Sequence, residues 1–282
     1  MTKTVLISDA ASPVGRATAE AFREDDWDVW AGAADPELVD DLEADGCRTV
    51  ELDVTNAREC ERAVETVVDE AGRIDCLVHD GGRGRVAAVE DTSTVDLEAR
   101  LDGAVLGAHR LVREVLPHMR DRGDGAIVSV GGVAGRLTLP GQGSTAAAQA
   151  ALGGLHDALR VEAAEFGVDV VLVEPGPLDL PGEPESGAAA ADEPAAAATP
   201  DGGSGPYDWL YSAHEDSRLT GLADAVSVTP RAVALTVRDA ANASDPEPRY
   251  PVGEPAKYLL LAARLPARWR DAAVSVARRF VD

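Results

Sequence analysis

The residues best placed to do chemistry lie at the ends of short apolar runs. In Ile74-Asp75-Cys76-Leu77-Val78-His79-Asp80-Gly81-Gly82 an imidazole and a carboxylate stand side by side, just before two glycines. Such a pair can take up and return a proton near neutral pH. Further on, Thr145, Gln149 and His156 share one face of a helical pattern (i, i+4, i+11). At a rise of 1.5 Å per residue, His156 lies about 16 Å along from Thr145. His79, Asp80 and Thr145 together would make an acid–base set. The plainer alternative has His79 as a hydrogen-bonded histidine at a strand end and Asp80 as a turn or cap residue. A third place is the turn Ser8-Asp9-Ala10-Ala11-Ser12-Pro13-Val14-Gly15, where backbone N–H groups at a helix start can hold an anion. Metal chemistry is not expected. His109, His118 and His214 show no ligand spacing, and Cys47, Cys60 and Cys76 are an odd number with no CxxC, which also argues against a disulfide framework.

Composition narrows the choice. The 282 residues carry 26 Lys+Arg against 50 Asp+Glu, a formal charge of −24. Phosphate backbones would be repelled, so no nucleic-acid partner is expected. Only two of the basic residues are lysines, Lys3 and Lys257, and the tyrosines are Tyr207, Tyr211, Tyr250 and Tyr258. Chemistry that needs a Tyr or Lys between residues 4 and 206 is therefore excluded. The acid excess with almost no Lys predicts a halophilic protein, since at molar salt the Debye length falls to roughly 3 Å and self-repulsion is tolerated. The start, Met1-Thr2-Lys3-Thr4-Val5-Leu6-Ile7, lacks the apolar core of a signal peptide. No apolar run approaches the roughly 18 residues of a membrane span, and a cytoplasmic protein is expected.

The elements that must position these residues alternate in type. Apolar runs at 3–8, 28–32, 47–54, 74–79, 125–130 and 168–174 read as strands. Helical patterns at 14–24, 36–45, 56–72, 94–121 and 144–166 separate them. Pro36 opens the second helix, Gly72 caps the third and Pro117 is expected to kink or end the fourth late. This alternation predicts an α/β fold: a single doubly wound parallel sheet, Rossmann-like, with helices on both faces and a ligand crevice at the carboxyl ends of its strands. One domain is expected over 1–282. Within it, 181–206 is rich in Pro, Gly and Ala and holds no large apolar residue. It reads as a flexible low-complexity loop, either a substrate lid or an inserted surface loop. Residues 207–282 read as C-terminal helices near 207–222 and 230–243, a strand-like 249–252 and a helical tail over 255–280. The tail's Lys257, Arg264, Arg268, Arg270, Arg278 and Arg279 either contact an acidic or membrane surface or are solvated on a packed helix.

The order of these elements, with the words at their ends, resembles the short-chain dehydrogenase/reductase family. The likeness runs from Val5 to about Leu180 and resumes at Tyr250-Pro251-Val252-Gly253. Leu52-Asp53-Val54-Thr55 is similar to the family's DVT turn, and Leu77-Val78-His79-Asp80-Gly81-Gly82 to its LVNNAG. Val115-Leu116-Pro117-His118-Met119-Arg120 is similar to its VLPHM helix. Ile127-Val128-Ser129-Val130-Gly131-Gly132-Val133-Ala134-Gly135 is similar to IVNVSSVAG, and Glu174-Pro175-Gly176-Pro177 to its PG turn. The resemblance implies reduction of carbonyls or oxidation of alcohols with NAD or NADP. It implies an acidified tyrosine as proton donor and a lysine that lowers its pKa and holds the ribose. It also implies a serine that orients the substrate and an asparagine that anchors a relay water. For the cofactor it implies contacts at Ser8, Ser12, Val14, Gly15, Asp53, Val54, Asp80, Gly81, Gly82, Pro175 and Gly176.

At the matching catalytic positions the sequence departs. The family's YxxxK lies thirteen residues beyond its serine, on Thr145-Ala146-Ala147-Ala148-Gln149. Thr145 stands for the tyrosine, Gln149 for the lysine, Gly132 for the serine and Ala104 for the asparagine. A threonine hydroxyl is about five units or more too weak an acid to replace a phenol of pKa near 10. The glycine-rich TGxxxGxG falls on Ser8–Gly15 and keeps only Gly15 of its three glycines. Asp9 adds an anion beside a dianionic ligand, and Pro13 removes an N–H although it suits a helix start. Ala34-Asp35 replace the Arg that often greets a 2′-phosphate, so NAD is expected ahead of NADP.

The leading expectation is a catalytically silent member of the family acting as a binding, regulatory or oligomer-partner subunit. It would be a homo-oligomer, or a hetero-oligomer with a related active subunit, joined through the helices at 94–121 and 144–166. The alternatives are an NAD(P)-dependent oxidoreductase with non-standard catalytic residues, and a non-redox enzyme working through His79 and Asp80.

Overall fold

The computed structural model describes residues 2–82, 84, 86–179, 205–215 and 227–278. Its seven strands are β1 (Thr4–Ile7), β2 (Asp28–Ala33), β3 (Arg48–Glu51), β4 (Cys76–Asp80), β5 (Gly125–Val130), β6 (Val168–Pro175) and β7 (Arg249–Val252). They form one sheet in the order β3-β2-β1-β4-β5-β6-β7, with parallel pairing throughout. The order reverses at β1: Leu6 pairs with Trp30 on one side and with Leu77 on the other. A crevice at the carboxyl ends of β1 and β4 follows from that reversal.

The pleat divides the core between two faces. On one, Val5, Val29, Val78, Val128 and Val171 pack with Val14 and Phe22 of α1 (Pro13–Arg23) and with Val233 and Val237 of α8 (Pro230–Asn242). On the other, Leu6, Trp30, Leu77, Ile127 and Val170 pack with Val64 and Val67 of α3 (Ala57–Ala71). Leu111, Val115 and Met119 of α5 (Ala108–Arg122) complete that face. Strands buried on both faces must be apolar at every position, which is why they read as continuous runs rather than alternating ones. Helix ends follow local chemistry. Asn56 caps the start of α3 through Arg58 N–H, and Gly72 closes it in the left-handed region at φ 78°.

The expected elements recur with differences. The helix from Pro36 is a 3-10 turn over Pro36–Val39 followed by α2 (Asp40–Ala44). The pattern at 94–121 is not one helix. It consists of α4 (Thr94–Leu101), a π-helical turn over Asp102–Gly107 and then α5, which carries Pro117 in its interior and runs on to Arg122. The distortion sits at the π turn rather than at the proline. The pattern at 144–166 is α6 (Gly143–Ala163) with a 3-10 end over Ala164–Phe166. The strand-like 249–252 joins the sheet as β7. The tail splits into α9 (Glu254–Ala262) and α10 (Ala267–Arg278) about Pro266, leaving Tyr258, Leu261, Leu265 and Trp269 exposed. Except for 205–206, the expected loop at 181–206 falls outside the described residues. So do residues 216–226, which include the end of the helix expected near 207–222; its described part is α7 (Asp208–Glu215). Among the described residues no helix is long and apolar enough to cross a membrane.

One buried charge ties the carboxyl end of β6 to its surroundings. Glu174, 1% exposed, accepts from Arg136 Nη1 at 3.1 Å and from Arg249 Nη1 at 2.9 Å. Arg249 also donates to Asp157 of α6 at 2.8 Å and to Gly153 O at 3.3 Å. Removing one partner of a buried pair leaves the other uncompensated. Arg249→Ala is therefore expected to lower stability by about 2–4 kcal/mol, seen as a lower urea midpoint at constant slope. Adding Glu174→Gln should recover part of the loss.

Candidate functional site

The crevice is built from four segments: the turn after β1, the loop after β4, the π turn and the start of α6. The first of these, Ser8–Gly15, shows why α1 begins where it does. Ser12 is the N-cap, and its Oγ accepts Gly15 N–H at 2.8 Å. Pro13 fills the first helical position, where no N–H is needed. Gly15 is required by packing, because a Cβ there would fall 1.8 Å from Asp9 O. The Asp9 carboxylate turns back over the helix start. Its Oδ1 accepts Ser12 N–H at 3.2 Å, and Ala11 N–H also donates to it. Asp80 faces it: Asp80 Oδ2 accepts from Ser12 Oγ at 2.8 Å and Oδ1 from Gly82 N–H at 3.0 Å. Burial first, and then the Asp80 charge, push the Asp9 carboxyl up to about 6.

These residues do not fit the pyrophosphate of a dinucleotide. Of the amides at the amino end of α1, those of Ala11 and Ser12 serve Asp9, that of Gly15 serves Ser12, Pro13 has none, and that of Val14 is left over. A dianion entering the turn would meet two carboxylates instead of an array of N–H donors.

His79 is not in the crevice as expected but in the core, 1% exposed. The adjacent residues of a strand point to opposite faces, so His79 turns inward while Asp80 meets Ser12. Its Nε2 lies 3.2 Å from Ala104 O, which can only accept, and its Nδ1 lies 3.1 Å from Ser8 Oγ. Ser8 Oγ in turn accepts Asp80 N–H at 3.3 Å. The network is satisfied by a neutral ring protonated at Nε2, with the Ser8 hydroxyl donating to Nδ1. Burial lowers the pKa of His79 to about 4. His156, 3% exposed, falls to about 4 as well, through burial and the nearby His79. Of the two readings of His79, the geometry favours the plainer one: both ring nitrogens are engaged in structural bonds.

Each of the four positions matched to the family's catalytic residues meets a close neighbour. Ala104 lies in the π turn and contributes its carbonyl to His79. A Cβ on Gly132 would come within 2.7 Å of Gln149 Nε2 and 2.8 Å of Oε1, so the glutamine amide lies where a serine side chain would begin. A Cβ on Gly84 would come within 1.8 Å of Thr145 Oγ1 and 3.1 Å of its Cβ, so the loop after β4 rests on the threonine. Arg100, from α4, covers the same loop: its Nη1 would lie 3.2 Å from a Cβ on Gly82. Sequence reasoning missed Arg100, because nothing in the periodicity of α4 says which loop it meets. It also missed Glu174 as a buried anion.

The remaining positions tied to the cofactor keep local roles. Asp53 Oδ1 accepts from Thr55 N and Thr55 Oγ1, and Val54 packs where a Cβ on Gly107 would be 2.8 Å away. Gly81 N donates to Val130 O, and Gly176 N, after Pro175, donates to Val252 O at 3.2 Å. No late tyrosine replaces the missing one. Tyr211 OH donates to Asp91 Oδ2 and Tyr207 OH to Glu90 Oε2, both at 2.6 Å. The Glu90 bond raises Tyr207 above the usual phenol range, and burial with the Asp91 bond raises Tyr211. An acidified phenol needs the opposite shift. Among the described residues, no group of three His, Cys, Asp or Glu side chains is arranged to hold a metal.

The buried histidines make stability depend on pH with a definite sign. An unfolded histidine titrates near 6.5 and these near 4, so the unfolded chain takes up protons first. Their contribution is complete above pH 6.5 and is lost as pH falls towards 4, by at most about 3 kcal/mol each. Asp9, raised to about 6, acts with the opposite sign between 3.8 and 6. Urea midpoints measured across this range should fall with acidification in the wild type. The slope should flatten in His79→Gln with His156→Gln and steepen in Asp9→Asn.

Comparison with known proteins agrees with this architecture. The family model described as short chain dehydrogenase matches residues 3–189. The uncharacterized oxidoreductase YbbO of Escherichia coli (strain K12) is 29% identical over 255 residues, covering 89% of this chain and 86% of its own. The crystal structure of a short-chain dehydrogenase from Streptomyces avermitilis superposes with a TM-score of 0.79 at 29% identity, over 100% of this chain and 99% of that one. ElxO, solved with NADP bound, has the same fold, with a TM-score of 0.68 at 20% identity over 89% of this chain and 97% of its own. With its parallel sheet, its crevice and a family match across two-thirds of its length, this chain belongs to the short-chain dehydrogenase family.

Proposed function

We propose that this short-chain dehydrogenase has given up hydride transfer and acts as a binding, regulatory or assembly subunit. The carrying observation is that the tetrad positions are packed closed rather than merely substituted. The Gln149 amide takes the room beside Gly132, and the loop at Gly84 takes the room in front of Thr145. A proton donor of phenol strength is absent from both. Tyr207 and Tyr211 are held by acidic partners that weaken them as acids.

The surface supports a partner role. A groove of about 320 Å³ runs between α5 and α6, lined by Val112, Leu116, Leu155 and Leu159 with Arg113 and Glu162 beside them. On α6, Ala147, Ala150, Ala151 and Gly154 are small and exposed, which allows a second helix to approach closely. These are the helices through which the sequence resemblance implies dimer formation. The partner is a second copy of this chain or a related active subunit.

Two measurements test the reading. Purified protein in molar KCl, given NADH or NADPH with a panel of aldehydes and ketones, should show no turnover above the blank. Turnover that disappears on Thr145→Ala or Asp80→Asn would overturn silence in favour of an NAD(P)-dependent oxidoreductase with non-standard residues. The packing itself is checked by a double-mutant cycle. Gly84→Ala should cost about 1–3 kcal/mol through overpacking, and much of that cost should vanish in a Thr145→Ala background.

A further inference from the structure

We infer that Asp9 is an internal anion that closes the crevice to dinucleotides, so that this one side chain sets which ligands the fold admits. The amino end of a helix at the switch point of a parallel sheet attracts negative charge through its free amides and its dipole. Here the chain supplies that charge itself. Asp9 Oδ1 sits 3.2 Å from Ser12 N, with Ala11 N also donating to the carboxylate.

Three features hold this turn in place. Ser12 Oγ lies 3.1 Å from the backbone carbonyl of Asp9 and 2.8 Å from Asp80 Oδ2, so one hydroxyl joins the Asp9 backbone to the Asp80 carboxylate. Gly15 brings α1 so close that a Cβ would strike Asp9 O. Asp80 is itself oriented by Gly82 N–H. The arrangement opposes a pyrophosphate twice, by taking the amides of Ala11 and Ser12 and by presenting like charge. Like charge brought close in a partly buried site weakens an affinity by at least about tenfold. The same turn does not penalise a ligand without phosphate.

This inference extends the reading that hydride transfer is lost but stands apart from it, since binding and turnover are measured separately. The test is fluorescence titration with NADH, and calorimetric titration with adenosine as the uncharged probe. Wild type is compared with Asp9→Asn and Asp9→Gly. Asp9→Asn keeps an acceptor for Ser12 N–H and removes only the charge. Asp9→Gly restores the residue type that the family motif has at that place. Wild type should show no NADH binding at millimolar ligand. Both variants should gain at least about tenfold while adenosine affinity stays unchanged. Circular dichroism and thermal melting establish that each variant is folded, and Asp9→Asn serves if Asp9→Gly is not. Micromolar NADH binding by wild type overturns the inference. So does a folded Asp9→Asn that binds NADH no better, or a gain shared equally by adenosine. A variant that binds NADH without turning it over leaves the silent reading intact. One that turns it over refutes that reading and not this one.

Discussion

A parallel sheet whose strand order reverses must open at the reversal, and everything at the functional end of this molecule depends on how that opening is met. β1 and β4 are neighbours, yet the chain leaves them toward opposite faces. The first turn of α1 therefore points its amides into a gap that no strand can cover. In this chain the gap meets Asp9, Ser12 and Asp80, joined by hydrogen bonds. Burial first, and then the Asp80 charge beside it, raise the pKa of Asp9.

Behind the opening, two of the replacements are closely packed. Gln149 lies against Gly132, and Thr145 against Gly84 of the loop after β4. His79, buried and neutral, bridges Ser8 of the first turn to the carbonyl of Ala104. That carbonyl belongs to the π turn that interrupts the helix between Leu101 and Ala108, a local widening that often marks functional positions. Here it accepts a structural hydrogen bond. The scaffold that positions chemistry in the family is thus retained, while the groups at its focus pack against one another.

Much of the fold was legible because its signals are local. Strands such as Thr4–Ile7 are short, buried and almost wholly apolar, and caps such as Asn56 and Gly72 act within a few residues. The misreadings came where local rules compete. Pro117 looked like the weak point of its helix, but the helix absorbs it and departs from regularity at Asp102–Gly107, where no proline marks the place. His79 and Asp80 read as a possible pair at one strand end, yet strand alternation sends them to opposite faces and buries His79. Glu174 looked like part of a turn, whereas it is a buried anion held by Arg136 and Arg249, residues far apart in the chain.

By itself the sequence determined which chemistry is available. With no Tyr or Lys between residues 4 and 206, no phenol of lowered pKa with a lysine beside it can form at the family's catalytic positions. Acid strength and charge belong to residue types, and no packing supplies a missing ammonium group. The order of strands and helices was equally determined, since it follows from periodicity along the chain. Only the tertiary structure decided what the remaining groups do. It turned Asp9 onto the amides of its own helix, drew Gln149 against Gly132 and set Gly84 on Thr145. The Gly84–Thr145 contact joins segments tens of residues apart, the Gln149–Gly132 contact joins a loop to the helix after it, and the first depends on how closely α1 approaches β1. Distances of this kind are fixed by how elements pack, which no local pattern encodes.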